Sequence, residues 1–344
     1  MPIKIRKQPA GLSALLIAAA LSLAPCSLSA HGAGASVYYQ AGSEDSAEKK
    51  GPALALEQLA VRTDNFDEEP QFNGGEIRFL ANTSTEQQQL SGVFRSSDGK
   101  VLVLDGGVAA DAQHLISVIK EFGGTVNAWI ITHPQDDHVG ALYEILENHF
   151  GTINIENIYF HFQDYDWYGE VDPPEQEMVW NLIHAMKKLP EDRLHGFDSE
   201  AVREDTVVTL SDKLSFRVLN DPASIPGAYA VNNSSIMYDI EMDGKHIIAL
   251  GDMGPDGGDA HLPNIAARQL QTDYVIMAHH GQNGVRENFY RAINPQACIW
   301  SCPEWLFNPG DDKKFLRTNE TKTWINLMGI TRNYSTKDGD ITLR

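Results

Sequence analysis

An apolar run at residues 127–132 empties directly into His133-Pro134-Gln135-Asp136-Asp137-His138, and no other feature constrains the chain as much. A short apolar run bounded by turn signals reads as a buried strand, and the spacing from 139 to 149 reads as a helix. Side chains at the end of such a strand are held by the sheet while they face a cleft. Two imidazoles and a carboxylate within six residues can all reach one ion. This mixture of nitrogen and oxygen donors suits Zn, Mn or Fe better than the all-oxygen shells of Ca or Mg. A lone histidine here would read as a surface residue, and Asp136 alone as a helix cap. His133, Asp137 and His138 together read as a metal site.

The rest of the chain supplies a frame. Strand-like runs at 76–80, 89–95 and 101–104 come first, the last two divided by the turn Ser97-Asp98-Gly99. Residues 111–122 place Leu115, Val118, Ile119 and Phe122 at helical spacing. A strand at 155–161 and a helix at 175–188 follow, then strands at 206–210 and 214–219. Runs at 234–242 and 245–250 form a hairpin around Asp243-Gly244. A helix at 262–270, strands at 274–278 and 297–300, a helix at 313–328 and two closing strands complete the pattern. Strands first, then strands alternating with helices, in two successive halves, predict sheets faced by helices.

Residues 1–35 form a separate object. Lys4, Arg6 and Lys7 precede an apolar stretch at 12–24 and then small residues, the order of a secretory signal peptide. Cleavage fits after Ala30 or after Ala35, with Ala33-Gly34-Ala35 the better small-residue exit. Cys26 hints at a lipid-anchored variant, which Pro25 disfavours. The apolar stretch is short of the roughly 20 residues of a membrane span. The expected location is secreted or periplasmic, with no stable membrane insertion after signal removal. Residues 36–70 are polar and acidic and read as a leader; 71–344 read as one domain.

Three of the 27 basic residues and none of the 47 acidic ones lie in 1–35, so the net charge of −20 becomes −23 in the exported part. Such a surface repels polyanions and argues against a nonspecific nucleic-acid binder. Nucleic acid is admitted as a substrate only. Cys298 and Cys302, three residues apart in between, form either a disulfide or two buried thiols.

At this point the motifs resemble a known family. His133 to His138 looks like the H-x-[HD]-x-D-H signature of the metallo-β-lactamase superfamily. Leu104-Asp105-Gly106-Gly107 resembles the turn before that signature, Leu250-Gly251-Asp252 the strand that delivers a bridging aspartate, and Ala278-His279-His280-Gly281 the strand end that delivers a last histidine. Each motif is short; four in order cover about 76–344. The closest resemblance is to the hydrolase domain attached to bacterial DNA-uptake channels, with H-P-D-x-D-H, N-N-x-S, G-D and H-H-G. Asn232-Asn233-Ser234-Ser235 and the tail from Asn333 to Ile341 match that pattern. The channel itself is missing.

The resemblance implies an α+β fold, the four-layer αββα sandwich of the metallo-β-lactamase fold, and one or two zinc ions, with Mn or Fe as alternatives. His133 would belong to a first metal site. Asp137 and His138 would belong to a second, with His280 preferred over His279 as its last ligand, and Asp252 would bridge the two. Gln135 departs from the pattern, because glutamine is a neutral and weaker ligand than histidine or aspartate. No third histidine for the first site is evident; His161, His184 and His195 sit in no motif. That site is therefore weak, empty, or completed by Gln135 and water.

A bound divalent ion makes hydroxide available near neutral pH, so hydrolysis is the expected chemistry. Asp137 could orient the water as well as hold the ion, while Asn233, His279 or Gln282 could donate to the developing oxyanion. Phosphoester hydrolysis is the leading expectation. Hydrolysis of a carboxylic ester, lactone or β-lactam, and a metal-bearing binding protein without catalysis, are the alternatives. The aromatic residues Tyr159, Phe160, Phe162, Tyr165, Trp167 and Tyr168 read as core, as a stacking surface for a base or sugar, or as a cage for a quaternary ammonium.

Overall fold

The computed structural model describes residues 71–83, 86–196 and 199–344. The expected signal peptide and acidic leader lie outside these residues. Among the described residues no helix is long and apolar enough to cross a membrane.

The first half of the chain forms strands β1 (Glu76–Phe79), β2 (Ser91–Arg95), β3 (Val101–Asp105), β4 (Thr125–Val126), β5 (Ala128–Ile130), β6 (Asn154–Ile155), β7 (Ile158–Tyr159) and β8 (Leu194–His195). Helices α1 (Ala112–Glu121), α2 (Asp136–Asn148), α3 (Tyr165–Val171) and α4 (Pro173–Met186) lie between them. The second half forms β9 (Val207–Ser211), β10 (Leu214–Val218), β11 (Tyr238–Met242), β12 (Lys245–Ala249), β13 (Tyr274–Ile276), β14 (Ala297–Trp300), β15 (Arg332–Ser335) and β16 (Ile341–Leu343). Its helices are α5 (Ala230–Asn233), α6 (Pro255–Arg268), α7 (Glu287–Ile293), α8 (Glu304–Phe307) and α9 (Thr318–Leu327).

One sheet runs β16-β1-β2-β3-β5-β7-β8 and the other β15-β14-β13-β12-β11-β10-β9. Their inner faces meet through Phe94, Leu102 and Ile130 on one side and Phe216, Ile240 and Ile276 on the other. Outside the first sheet, Leu115 and Ile119 of α1, Leu142 and Ile145 of α2, and Leu182 of α4 pack with Val103 and Trp129. Outside the second, Ile265, Phe289 and Ile325 of α6, α7 and α9 pack with Ile248, Val275 and Cys298. The four layers are thus αββα. Strand β5 shows why the central strands read as unbroken apolar runs: Ala128 and Ile130 face the other sheet, Trp129 faces the helices, and both sides are buried.

β3, β5, β7 and β8 run parallel, as do β12, β13, β14 and β15. In open sheets of this kind ligands gather at the carboxyl ends of the strands, and those ends carry the His/Asp motifs here.

Several elements depart from expectation in ways that matter. Helix α2 begins at Asp136, not 139, so Asp137 and His138 lie in its first turn. Helix α6 begins at Pro255, not 262, because proline is preorganised at a helix start and the Asn233 Oδ1 accepts from Gly254 N and Gly257 N, both at 3.1 Å. The expected strand from 234 starts only at Tyr238, since residues up to Asn233 form α5. The run 155–161 divides between β6, which pairs with β4, and β7 of the large sheet. The aromatic cluster is mainly core: Tyr159, Phe160, Phe162 and Tyr168 are buried, Trp167 packs against them, and Tyr165 is exposed. Cys298 and Cys302 are both buried free thiols. Burial raises both pKa values, that of Cys302 to about 12.

The two ends of the domain close on each other, with Ile77 opposite Leu343 in an antiparallel pair. Beside this seam the His114 Nε2 lies 2.8 Å from Asp340 Oδ2, and Asp340 Oδ1 accepts from Ala81 N. The Asp340 carboxylate raises the His114 pKa against partial burial, helped by Asp111 and Glu121. Burial pushes Asp340 up, but His114 outweighs it and lowers the Asp340 pKa. The histidine's contribution is full below its unfolded pKa of ~6.5 and is lost as pH rises through the raised folded value; the aspartate's is present above ~3.9 and lost as pH falls through the lowered value. A His114→Gln variant is therefore expected to lose most stability between pH ~4 and ~6.5. Melting temperatures measured across pH should show the gap from the native protein closing at alkaline pH; a gap independent of pH would contradict the pairing.

Candidate metal centre

The centre is assembled from three strand ends and a helix start. β5 runs out into Thr132 and His133, α2 opens with Asp136-Asp137-His138, β12 leads to Asp252, and β13 leads to His279 and His280. Two of these junctions need special backbone. Gly140 sits where an added Cβ would lie 2.7 Å from the Ala109 backbone nitrogen, so its bareness lets α2 close on the turn after β3. His279 and His280 both adopt left-handed conformations (φ 51° and 56°), which cost about 1–3 kcal/mol each for residues with a Cβ. Gly281 follows at φ 90°, with its α-carbon against the Trp300 ring.

Asp137, His138, Asp252 and His280 each present a ligand atom, and these atoms lie within 4.8 Å of one another. The His138 Nε2 is 3.1 Å from Asp252 Oδ1, and the His280 Nε2 is 3.2 Å from Asp137 Oδ2 and 3.4 Å from Asp252 Oδ2. His138, Asp252 and His280 are at most 2% exposed, whereas Asp137 reaches 9%, so the centre meets solvent on the Asp137 side.

The hydrogen-bond network decides where the imidazole protons sit. His138 donates its Nδ1–H to Asp105 Oδ2 (2.8 Å), and His280 donates its Nδ1–H to Ser301 O (2.9 Å). Both Nε2 atoms therefore turn a lone pair to the centre. His138 Nε2, His280 Nε2 and Asp252 Oδ1 are buried and have no hydrogen-bond partner outside the cluster itself. Buried polar atoms without partners are rare and call for an occupant. Two imidazole nitrogens and two carboxylates fit a divalent transition metal, and carboxylate or carbonyl partners behind each histidine are the usual support for such a ligand.

Without an ion, the same closeness makes the groups hold protons for one another. Burial pushes His280 down, but the Asp252 and Asp137 carboxylates outweigh it and raise it to about 9. Burial pushes Asp137 up, but His138 and His280 bring it to about 2. The same contest lowers Asp252 well below the usual carboxylate range.

His133 and Gln135 lie beside this cluster. Thr132 donates its hydroxyl to Asp105 Oδ2 (2.8 Å), so the His133 Nδ1, 3.1 Å from that hydroxyl, must be the donor to it. The His133 Nε2 then faces Gln135 Oε1 at 2.9 Å with a lone pair. Gln135 cannot be turned over, because Asn232 Nδ2 donates to the same oxygen at 2.7 Å and lies 3.5 Å from Asp252 Oδ2. Two acceptors thus point at each other. Burial lowers the His133 pKa to about 4, which keeps its ring neutral.

Other expectations are redirected. Asn233 spends its side-chain oxygen capping α6 and braces the Asp252 loop; Asn232 faces the centre. The His279 Nε2 is 3.6 Å from Asp252 Oδ2, its Nδ1 is buried without a partner, and its ring meets the edge of Tyr229. Gln282 reaches the centre indirectly: it donates to Gln88 Oε1, and Gln88 donates to Asp137 Oδ2 at 3.0 Å. His184 and His195 bond elsewhere, to Trp180 O and Asn157 Oδ1, and His161 to Val202 O. Sequence reasoning missed Gln88, Asp105 as a histidine partner, and Glu175, whose carboxylate lies 3.5 Å from Gln135 Nε2.

An αββα sandwich with a buried His/Asp cluster at the strand ends is the build of a metal-dependent hydrolase. A sequence profile of the metallo-β-lactamase superfamily matches residues 84–279, and the chain belongs to that superfamily. ComE operon protein 3 of Bacillus subtilis (strain 168) is 28% identical over 180 residues, which are 51% of this chain and 20% of that protein. The chain thus spans about a fifth of that relative's length. Among solved structures, the metallo-β-lactamase fold protein YhfI from Bacillus subtilis and yeast PDE1 each align over 78% of this chain and 99% of theirs, at 12% identity and a TM-score of 0.46.

Asp105→Asn is expected to weaken metal affinity by about 10–100-fold, because it removes the charge behind His138. Competition against a chromophoric chelator measures this; affinity equal to that of the native protein would show that Asp105 serves folding alone.

Proposed function

We propose that this chain is an exported hydrolase of phosphoesters that works with zinc held by Asp137, His138, Asp252 and His280. The observation that carries the reading is the convergence of buried ligand atoms from Asp137, His138, Asp252 and His280, of which His138 Nε2, His280 Nε2 and Asp252 Oδ1 have no partner outside the cluster. A second ion is accommodated by His133 Nε2 and Gln135 Oε1, whose facing acceptors need a cation between them. Bound zinc supplies Lewis acidity and an activated water.

The chain's own groups do the rest. Asp137, the most open of the four, is held by Gln88 and orients the attacking water with its remaining acceptor capacity. His279, buried with a free Nδ1, meets a non-attacked oxygen of the substrate. Asn232 bridges Gln135 and Asp252 by donating to both. A neutral Gln135 and no third histidine at the first site favour phosphoesters over β-lactams. So does the resemblance of the His133–His138, Asn232–Ser235 and His279–Gly281 motifs to hydrolase domains of DNA-uptake channels. The basic, apolar, small-residue order of 1–35 supports export.

The test is turnover of bis(p-nitrophenyl) phosphate, p-nitrophenyl acetate and a chromogenic β-lactam by the zinc-loaded chain, alongside elemental analysis of native and His138→Ala protein. The reading predicts phosphodiester turnover at least about 100-fold above the variant, with bound zinc lost in the variant. Ester or lactam turnover alone would move the substrate class, and bound zinc with no turnover would make the chain a binding protein.

A further inference from the structure

A second cleft opens on the same sheet edge, with a volume of about 330 Å³, lined by His161, Gln163, Asp164, Arg203 and Asp221 among others. Its position follows from topology. His161 lies two residues beyond β7, and β7 pairs with β5, the strand that runs out to His133. Neighbouring strands are about 4.8 Å apart, so the chain leaves β7 towards His161 roughly one strand spacing from where it leaves β5 towards His133. Asp221 lies just beyond β10, whose partner β11 begins shortly after Asn232. The His161 Nδ1 and Asp221 Oδ1, 3.7 Å apart, show the loops of the two sheets meeting there. The loop after Asp221 leads through Ser224, bonded to Gln163, to Tyr229, which contacts His279.

The polar groups of this cleft have a definite balance. His161 donates its Nδ1–H to Val202 O (3.2 Å), leaving Nε2 as an acceptor. Asp221 Oδ1 accepts from Glu204 N (3.1 Å), which leaves Oδ2. The Asp164 carboxylate lies on the exposed rim. Gln163 accepts from Ser224 through Oε1 (3.0 Å), so its Nε2–H group is a donor. The Arg203 side chain lines the same wall. Acceptors outnumber donors, but both are present. An ammonium ion would satisfy the acceptors alone, and a phosphate the donors alone. Hydroxyl groups, which donate and accept, satisfy both.

We propose that this cleft is the subsite for a hydroxyl-rich part of the substrate, a sugar, held mainly by Asp164, Asp221 and His161. This deepens the phosphoester reading and rests on it for the reaction, though not for the binding. The groups act on specificity, since none of them belongs to the metal cluster.

The test is isothermal titration of the full chain with uridine, 2′,3′-dideoxyuridine and ethanolamine. Uridine is expected to bind about tenfold or more tightly than the dideoxy compound, whose ring lacks the hydroxyls. Asp164→Asn and Asp221→Asn should each weaken uridine about tenfold while leaving the dideoxy compound unchanged. Asp164 is exposed, so its variant tests the site without loading the fold. Equal binding of the two nucleosides, no heat with uridine, or a preference for ethanolamine would overturn the proposal. If uridine binds as expected while no phosphoester is hydrolysed, the sugar site stands and the hydrolase reading falls.

Discussion

One buried carboxylate organises the metal edge. Asp105, fully buried at the end of β3, accepts from Thr132 N (2.7 Å), from the Thr132 hydroxyl and from His138 Nδ1. Three donors are what make a carboxylate tolerable away from water, where an unpaired charge costs several kcal/mol. They also tie together the ends of β3 and β5 and the first turn of α2. Because the carboxylate fixes the proton of His138 on Nδ1, it fixes which nitrogen faces the ion. Through the Thr132 hydroxyl it sets the same choice for His133. The Asp105 residue itself is left-handed (φ 57°), a conformation that the three donors hold in place.

The second sheet contributes by a different device. β12, β13 and β14 run parallel, so their ends deliver Asp252, His280 and the Ser301 carbonyl to one edge. The strained pair His279-His280 turns the chain back sharply enough for one ring to reach the cluster while the other meets Tyr229. Asn233 and Pro255 start α6 directly after Asp252, and Ser235 accepts from the Asp252 backbone nitrogen at 3.1 Å. The ligands are therefore held by backbone and by buried partners before any ion arrives. That preorganisation leaves the energy of binding free to act on the substrate.

Much of this was legible in the sequence, for a simple reason. His133, Asp137 and His138 follow one buried strand, so their proximity is local and needs no knowledge of the fold. Asp252 and His280 each sit just beyond a short apolar run, which marks a strand end. What sequence could not show depends on contacts across the fold. Asp105 stood out as part of a turn, yet its partner lies 33 residues away. Gln88 reaches Asp137 across 49 residues, from a segment with no periodicity of its own. Asn232 and Asn233 are adjacent and alike, and only the short helix α5 decides that one faces the centre while the other caps α6. The start of α2 reads late in the sequence because Asp136 resembles a cap; placed inside the first turn, the Asp136 and Asp137 carboxylates both gain from the positive end of the helix.

The central claim is that buried partners aim the Nε2 atoms of His138 and His280, with Asp137 and Asp252, at one point. Anomalous diffraction at the zinc edge from crystals of the zinc-loaded chain tests it most directly. A peak is expected about 2.0–2.1 Å from both Nε2 atoms and about 2.0–2.2 Å from a carboxylate oxygen of Asp137 and of Asp252. A peak bound through Nδ1 of either histidine, or no peak among these four residues, would contradict it.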